Sequence, residues 1–282
     1  MREIKTVGEM YSFSRRAKIH SKKIGLVPTM GALHEGHLSL VAEAKKRSDI
    51  VVVSIFVNPI QFGENEDFSR YPRDLKRDKK LLQSMGVDAL FLPQSREMYP
   101  EGFETLVEVK GLSEKLCGRS RPGHFSGVTT VVIKLFNILS PDCAFFGEKD
   151  YQQQAVIKQM VKDLNLPVEI AALPTVREYD GLALSSRNSY LTPEERKKAA
   201  MLYQTLTLAQ DEIKKGERDA RKIVSRAQSL LFSEPSIRLD YLQLVDPQSL
   251  EEVKKVKGRV VIALAASIGK TRLIDNLTIN AD

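Results

Sequence analysis

Short apolar runs alternate with helical patterns along most of this 282-residue chain. Five runs are predicted as strands: Ile24–Val27, Ile50–Val57, Ala89–Leu92, Cys143–Phe146 and Val168–Leu173. The helical patterns between them are Leu38–Arg47, Leu75–Met85, Val128–Leu139 and Tyr151–Leu164. Such alternation is typical of βαβ units. We therefore expect an α/β fold with a parallel sheet, which binds its ligands at the carboxyl ends of the strands.

The segment Val51–Val57 is apolar at almost every position, as expected of a strand with helices on both faces of its sheet. The pattern changes after Pro193, where Thr192 is a candidate helix cap. Two helices are predicted at about 193–215 and 218–232. Three short antiparallel strands follow, at Leu239–Val245, Arg259–Ala266 and Thr271–Asp275. We predict a domain at 1–176 and a smaller α+β domain at 177–282.

The amino-acid composition limits the classes of protein to which this chain can belong. Lys and Arg total 43 against 36 Asp and Glu, a net charge of +7 that suits an anionic ligand. The basic residues are dispersed among acids, which counts against a nucleic-acid binder. Only two cysteines occur, without the spacing of a zinc site or a disulfide scaffold. No stretch approaches the roughly 20 apolar residues of a membrane span, and no signal-peptide core is present. We expect a cytoplasmic protein.

The segment Val27–His37 combines a strand exit, a glycine turn and a helix start. The N-terminus of a helix offers unpaired N–H groups and the positive end of its dipole to anions. His34 and His37 are three residues apart and would lie on one side of the first helical turn. This arrangement suits the phosphates of a nucleotide and predicts a site of adenylyl transfer. A zinc site is not favoured, because no third ligand accompanies the pair.

Three further segments carry candidate binding residues. Asn58-Pro59 is a turn after a strand, and Gln61 stands between Ile60 and Phe62, where its amide would suit a small hydroxy acid. The segment Phe145–Gln153 again places glycine between strand and helix, and Lys149 offers a charge for phosphate.

The third segment runs from Val176-Arg177-Glu178 to Leu184–Asn188, and its hydroxyls and cation suit a triphosphate. The polar stretch Gly63–Arg70 is either a mobile cover or an ordinary surface loop.

Taken together, these motifs resemble the pantoate–β-alanine ligase family. The similar segments appear in the family's order: Pro28–His37, Asn58–Phe62, Tyr71–Arg73, Arg121–Phe125, Gly147–Gln153 and Leu184–Asn188. The resemblance to the family is strong from about residue 24 to 190. Beyond residue 190 it rests mainly on the length of the segment and its general residue pattern.

The resemblance implies a Rossmann-like sheet of the adenylyltransferase type, a smaller C-terminal domain, a homodimer and magnesium-bound ATP. It also implies condensation of pantoate with β-alanine through pantoyl adenylate, with AMP and pyrophosphate released.

By motif position, the resemblance makes His37 the proton donor. It makes Gln61 and Gln153 the pantoate-binding residues, with Gln61 also serving β-alanine. Arg121 and His124 are further pocket candidates. The implied ATP contacts are Met30, Gly31, Ala32, Leu33, His34, Glu35, Gly36, His37, Gly147, Glu148, Lys149, Asp150, Val176, Leu184, Ser185, Ser186 and Arg187.

Two alternatives remain at this stage. A nucleotidylyltransferase would share the sheet and the histidine turn but keep the nucleotide in its product. A nucleic-acid binder would bind with steep salt dependence. The acids near the candidate site are not spaced as a cage for Mg²⁺, so phosphates and water are its expected ligands.

Overall fold

The computed structural model describes residues 1–64 and 66–281, which fall into two units. The first unit comprises Met1–Ser113, Arg121–Glu148 and Gln153–Pro174. The second unit comprises Glu114–Ser120, Lys149–Gln152 and the chain from Thr175 onward. Each unit has a sheet and a buried core of its own.

A six-stranded parallel sheet forms the centre of the first unit. Its strands are β1 (Arg2–Ile4), β2 (Ile24–Thr29), β3 (Ile50–Ile55), β4 (Ala89–Phe91), β5 (Cys143–Gly147) and β6 (Glu169–Leu173). They pair in the order β1-β4-β3-β2-β5-β6, every pair parallel. The predicted fold class and all five predicted strands are confirmed. β1 was not predicted, because a three-residue strand that buries only Ile4 leaves no periodic pattern.

Helices connect and cover these strands. They are α1 (Val7–Ile19), α2 (Glu35–Arg47), α3 (Leu75–Ser84), α4 (Ser95–Met98), α5 (Cys117–Ser120), α6 (His124–Leu139) and α7 (Tyr151–Asp163). α5 belongs to the second unit. α2 packs on β2, β3 and β5, while α6 contacts β2 and α1. Val51, Val52 and Val53 are fully buried, so the prediction that this strand is covered on both faces is confirmed.

The order of the strands reverses between β2 and β5. From β2 the chain proceeds to β3 on one side, whereas β5 and β6 lie on the other. The pairing of β2 with β5 ends at Leu26, two residues before Pro28, which has no N–H to donate. The carboxyl ends of these strands therefore open a crevice of the kind where doubly wound sheets bind ligands.

The second unit contains helices and an antiparallel sheet. Its helices are α8 (Pro193–Lys214) and α9 (Ala220–Phe232), and its strands are β7 (Ile237–Val245), β8 (Arg259–Ile268) and β9 (Thr271–Asn280). The strand order is β7-β8-β9. Thr192 caps α8, as the sequence pattern indicated, and it also forms a capping box with Glu195. β9 extends beyond the predicted Asp275, because Asp275 and Asn276 are buried polar residues that interrupt the apolar pattern.

Within residues 1–64 and 66–281, no helix combines the length and apolar character of a membrane-spanning segment. In the same ranges, no three His, Cys, Asp or Glu side chains gather closely enough to hold a metal ion.

Candidate active site

The turn after β2 has a strained backbone that two side chains hold in place. Gly31 and Ala32 have positive φ values of 81° and 51°, and this region is unusual for alanine. Thr29 Oγ1 accepts the N–H of Gly31 at 3.1 Å and donates to the carbonyl of Ser54 at 2.9 Å. Asp78 of α3 accepts the N–H groups of Ala32 and Leu33 at 2.9 and 2.8 Å. The loop that contains Met30–His37 is therefore rigidly positioned beside the crevice.

Asp78 was not predicted as a site residue. It is 1% exposed, and burial raises the pKa of its carboxyl above the ordinary value, against the opposing effect of its two main-chain donors. Its neighbours in α3 are mostly charged surface residues, so nothing in the sequence distinguishes this acid from them.

The two predicted histidines meet at the start of α2. His34 is the N-cap, and its Nδ1 accepts the N–H of Gly36 at 3.2 Å. His37 Nδ1 accepts the N–H of His34 at 3.3 Å, and the two ring centroids lie 4.1 Å apart. Because each Nδ1 is an acceptor, each neutral ring carries its proton on Nε2. Both rings therefore lie at the positive end of the α2 dipole, where anions are favoured.

Gln61 is fixed by contacts on its main chain and its side chain. It lies in a short 3-10 helix, Pro59–Gln61, that Asn58 begins in extended conformation, so the predicted turn is confirmed. The Asn58 amide donates to Gln61 Oε1 at 3.0 Å, and Gln61 Nε2 lies 3.3 Å from the sulfur of Met30. Gly127 of α6 packs directly on this turn, since a Cβ built there would lie 2.6 Å from Gln61 Cα. Gln61 itself is 8% exposed.

A chain of polar contacts also reaches the main chain of Gln61. Arg121 donates to both carboxylate oxygens of Glu66, at 2.6 and 2.5 Å, and its Nη1 lies 2.9 Å from His124 Nε2. Since a guanidinium can only donate, His124 Nε2 accepts and its Nδ1–H donates to the Gln61 carbonyl at 2.8 Å. The structure thus gives the pocket candidates Arg121 and His124 a direct connection to Gln61.

Glu66 lies in the polar stretch Gly63–Arg70, of which Asn65 is outside the described residues. Burial alone would raise the pKa of Glu66, but the hydrogen bonds and charge of Arg121 bring it below the ordinary value. Phe68 packs edge-on against Phe62 with ring centroids 5.4 Å apart. The described part of this stretch is therefore attached to the unit through both an ion pair and an aromatic contact.

Gly147 ends β5, on the other side of the reversal in strand order. Among the described residues, no atom lies within 4 Å of a Cβ built at Gly147, so that side of its backbone is open. Glu148 follows it, and Gln153 is a partly exposed residue in the first turn of α7. The first unit therefore contains the predicted residues Met30–His37, Gln61, Gly147, Glu148 and Gln153.

The remaining predicted residues belong to the second unit: Lys149, Asp150, Val176 and Leu184–Arg187. The N–H of Leu184 donates to the carbonyl of Val176 at 3.0 Å, which brings these two distant positions together. Ser185 caps the 3-10 helix Ser186–Tyr190 and accepts the N–H of Arg187 at 3.3 Å.

Lys149 is supported by a buried network on β9. Asn276 Nδ2 donates to the carbonyl of Lys149 at 2.9 Å. The adjacent Asp275 accepts two hydrogen bonds from Arg177, at 2.6 and 2.9 Å. Burial raises the pKa of Asp275, against the opposing effect of Arg177. Arg177 also stacks 4.3 Å from the ring centroid of Tyr203. None of these supporting contacts was predicted, because they join residues far apart in the sequence.

Comparison with known proteins gives consistent results. The family described as pantoate-beta-alanine ligase matches residues 2–278. A pantothenate synthetase of Caldicellulosiruptor bescii is 55% identical over 99% of both chains, and one of Moorella thermoacetica is 54% identical over the full length of both.

Solved structures agree with these sequence matches. The crystal structure of pantothenate synthetase from Thermus thermophilus superposes with a TM-score of 0.94, at 48% identity over 98% of this chain and 99% of that one. The Francisella tularensis pantoate-beta-alanine ligase, complexed with beta-gamma ATP and beta-alanine, gives a TM-score of 0.81 at 40% identity, over 98% of this chain and 97% of that one.

Proposed function

The chain belongs to the pantoate-beta-alanine ligase family, and from that premise we propose which of its residues carry out each part of the reaction. The enzyme is an AMP-forming ligase that uses ATP to condense pantoate with β-alanine. The observation that carries the assignment of the site is the β2–α2 turn, where a rigid loop, a helix N-terminus and two histidine donors coincide beside the reversal in strand order.

The reaction proceeds in two steps in this proposal. A carboxylate oxygen of pantoate forms a bond to the α-phosphorus of ATP as the bond to pyrophosphate breaks, which yields pantoyl adenylate. The neutral amine of β-alanine then bonds to the acyl carbon and releases a proton to solvent, and AMP leaves with the electron pair of the broken carbon–oxygen bond. The first step brings one anion towards another, so the site must reduce the repulsion and hold the reactants in line.

The loop Met30–His37 is proposed to bind the ATP phosphates. Its Nε2–H donors and the N-terminus of α2 attract negative charge, and this effect grows as charge moves onto the departing pyrophosphate. His37 is assigned the role of proton donor. Its Nδ1 accepts the N–H of His34, so the orientation of its ring is coupled to the helix cap.

Gln61 and Gln153 are proposed to bind pantoate, and Gln61 also β-alanine. The amide of Gln61 is oriented by Asn58, so it presents an N–H₂ group that suits carboxylate and hydroxyl oxygens. Gln153 is in the first turn of α7 and is partly exposed.

In the second unit, Lys149 and Arg187 are proposed to supply positive charge to ATP, with Asp150, Val176, Leu184, Ser185 and Ser186 as further contacts. Lys149 has only 19% of its side chain exposed. Its neighbours therefore already restrict the side chain, so less conformational entropy is lost when it binds a ligand. Gly147 and Glu148 complete the assignment from the first unit. We propose 1–176 as the ATP- and pantoate-binding domain and 177–282 as the smaller domain.

Magnesium enters this proposal with ATP. The described residues form no carboxylate cluster that would serve as a protein cage, so we derive no step through the ion and assign it no protein ligand. The phosphates and water would be its ligands. We also propose that the protein is a homodimer and is located in the cytoplasm. This part of the proposal rests on family membership alone.

A coupled assay tests the proposed function. The chain is incubated with ATP, pantoate and β-alanine, and each is omitted in turn while AMP and pyrophosphate are measured. We expect AMP only when all three are present. In a second assay without β-alanine, labelled pyrophosphate should exchange into ATP in a pantoate-dependent manner, because formation of an adenylate is reversible.

Three outcomes are informative. Exchange that does not require pantoate would remove pantoyl adenylate from the proposal. A stable product that retains the nucleotide, without AMP, would identify a nucleotidylyltransferase. If a variant with alanine at both His34 and His37 kept full activity, the β2–α2 turn would not be the site of the reaction.

A further inference from the structure

Tyr99 follows α4, outside every segment that the sequence analysis singled out, yet it connects to Gln61 through one residue. Its hydroxyl lies 2.7 Å from Asn58 Oδ1, and Asn58 Nδ2 lies 3.0 Å from Gln61 Oε1. Asn58 Nδ2 also donates to the carbonyl of Gly127 at 3.0 Å. Asn58 is 1% exposed, so its amide is held between protein partners on both of its polar atoms.

The direction of these hydrogen bonds is determined at both ends. The carbonyl of Gly127 can only accept, so the atom of Asn58 that faces it must be the N–H₂ group. Asn58 Oδ1 then faces Tyr99, whose hydroxyl is the donor. Burial raises the pKa of Tyr99 well above its ordinary value, so the hydroxyl keeps its proton at neutral pH.

The direction of the hydrogen bonds from Tyr99 to Asn58 and from Asn58 to Gln61 fixes the orientation of the Gln61 amide. Asn58 donates to Gln61 Oε1, which leaves Gln61 Nε2 directed towards the thioether of Met30 at 3.3 Å. A thioether is a weak acceptor, so a carboxylate or hydroxyl oxygen of a ligand would compete successfully for the same N–H₂ group. A flipped Gln61 amide would present an oxygen to that ligand and leave the Asn58 donor facing an N–H₂ group.

We propose that Tyr99 is a positioning residue for pantoate binding, which acts through Asn58 to keep the N–H₂ group of Gln61 turned towards the substrate. This inference rests on the proposed function, since it takes Gln61 to be a pantoate-binding residue. Tyr99 itself touches neither the reacting atoms nor, in this assignment, the substrate.

The surroundings of the ring allow the hydroxyl to be tested separately. The Tyr99 ring packs edge-on against Phe103 with centroids 5.0 Å apart, and its centroid lies 6.1 Å from that of the tilted Phe56 ring. The ammonium of Lys134 lies 5.8 Å from the Tyr99 ring centroid and 4.8 Å from that of Phe103. Tyr99→Phe keeps all of these ring contacts and removes only the donor to Asn58.

The experiment measures the kinetic constants of Tyr99→Phe in the full-length enzyme. Loss of one such hydrogen bond corresponds to roughly a three- to tenfold change. We expect the KM for pantoate to rise by that factor, with the KM for ATP nearly unchanged. The midpoint of thermal unfolding should fall, because Asn58 Oδ1 is buried and loses its donor. Tyr11→Phe, which alters a side chain that is 54% exposed, is the matched control and should leave all constants unchanged.

A double-mutant cycle with Gln61→Ala decides whether the effect passes through Gln61. If it does, Tyr99→Phe has no further effect on pantoate use once Gln61 is alanine. Equal losses in both backgrounds, or an equal rise in the KM for ATP, would overturn the inference. Failure of the wild-type enzyme to use pantoate would instead overturn the proposed function, so the two failures are distinguishable.

Discussion

Asp78 accepts the main-chain N–H of Leu33 at 2.8 Å and that of Ala32 at 2.9 Å, so a carboxylate of α3 holds the loop that leads to His34. The loop needs such support because Ala32 adopts a left-handed conformation with φ of 51°. One buried acid therefore stabilises the turn on which the proposed nucleotide site depends.

Replacement of Asp78 by asparagine should destabilise the protein by about 1–3 kcal/mol, because an amide can accept from one of the two N–H groups but not from both. The effect has a predictable pH dependence. The pKa of Asp78 is raised in the folded protein, so the ionised carboxylate is disfavoured there relative to the unfolded chain. The stability margin of the wild type over Asp78→Asn is therefore largest in acid and shrinks as pH rises through the folded pKa. Urea unfolding of both proteins across this range measures the margin. An increase with pH would mean that the two N–H donors outweigh burial and that the pKa of Asp78 is not raised.

His37→Ala should lower turnover by roughly 10²–10³-fold, by analogy with the loss of one preorganised donor to a developing negative charge. The measurement is pantoate-dependent release of pyrophosphate at saturating substrates. His20→Ala, which changes an exposed histidine at the end of α1, is the control and should retain full activity. Near-normal pyrophosphate release by His37→Ala would exclude this histidine from the mechanism.

Gln153→Ala should impair the use of pantoate more than the use of ATP, because the amide is assigned to the acid substrate. Steady-state kinetics with each substrate varied in turn provide the test. Gln159→Ala lies on the same helix and loses only an exposed contact with Asp163, so its constants should match the wild type. An unchanged saturation curve for pantoate in Gln153→Ala would argue against the assignment.

Gly127→Ala should displace the turn that carries Gln61. The added methyl group would lie 2.6 Å from Gln61 Cα and from the carbonyl oxygen of Ile60, and main-chain atoms cannot move aside as a flexible side chain can. We expect a loss of about 1–3 kcal/mol in unfolding free energy and a higher KM for pantoate.

Gly8→Ala is the control for this substitution, because among the described residues nothing lies within 4 Å of a Cβ at that position in α1. It should be neutral or stabilising by up to about 1 kcal/mol. Equal stabilities for the two variants, measured by urea unfolding, would mean that α6 can move away from the turn.

The sequence by itself determined the kind of sheet and the place of the turn to which we assign the nucleotide. Strands such as Ile50–Ile55 are covered on both faces and therefore read as continuous apolar runs. The capping residue Thr192 acts within three positions of the helix it begins, so its effect can also be recognised from the local sequence. Family membership followed from motifs of the same local kind, in order along the chain.

Only the tertiary structure decided how the site is supported. The contact of Asp78 with Leu33 spans 45 positions, that of Tyr99 with Asn58 spans 41, and that of Arg177 with Asp275 spans 98. Single polar side chains of this kind leave no periodic pattern. In the sequence, each one looks like an ordinary charged surface residue or a polar loop residue. These side chains come into contact only because strand pairing and helix packing bring their main chains together. Burial then favours the contacts, since a buried polar group without a hydrogen-bond partner is costly in free energy.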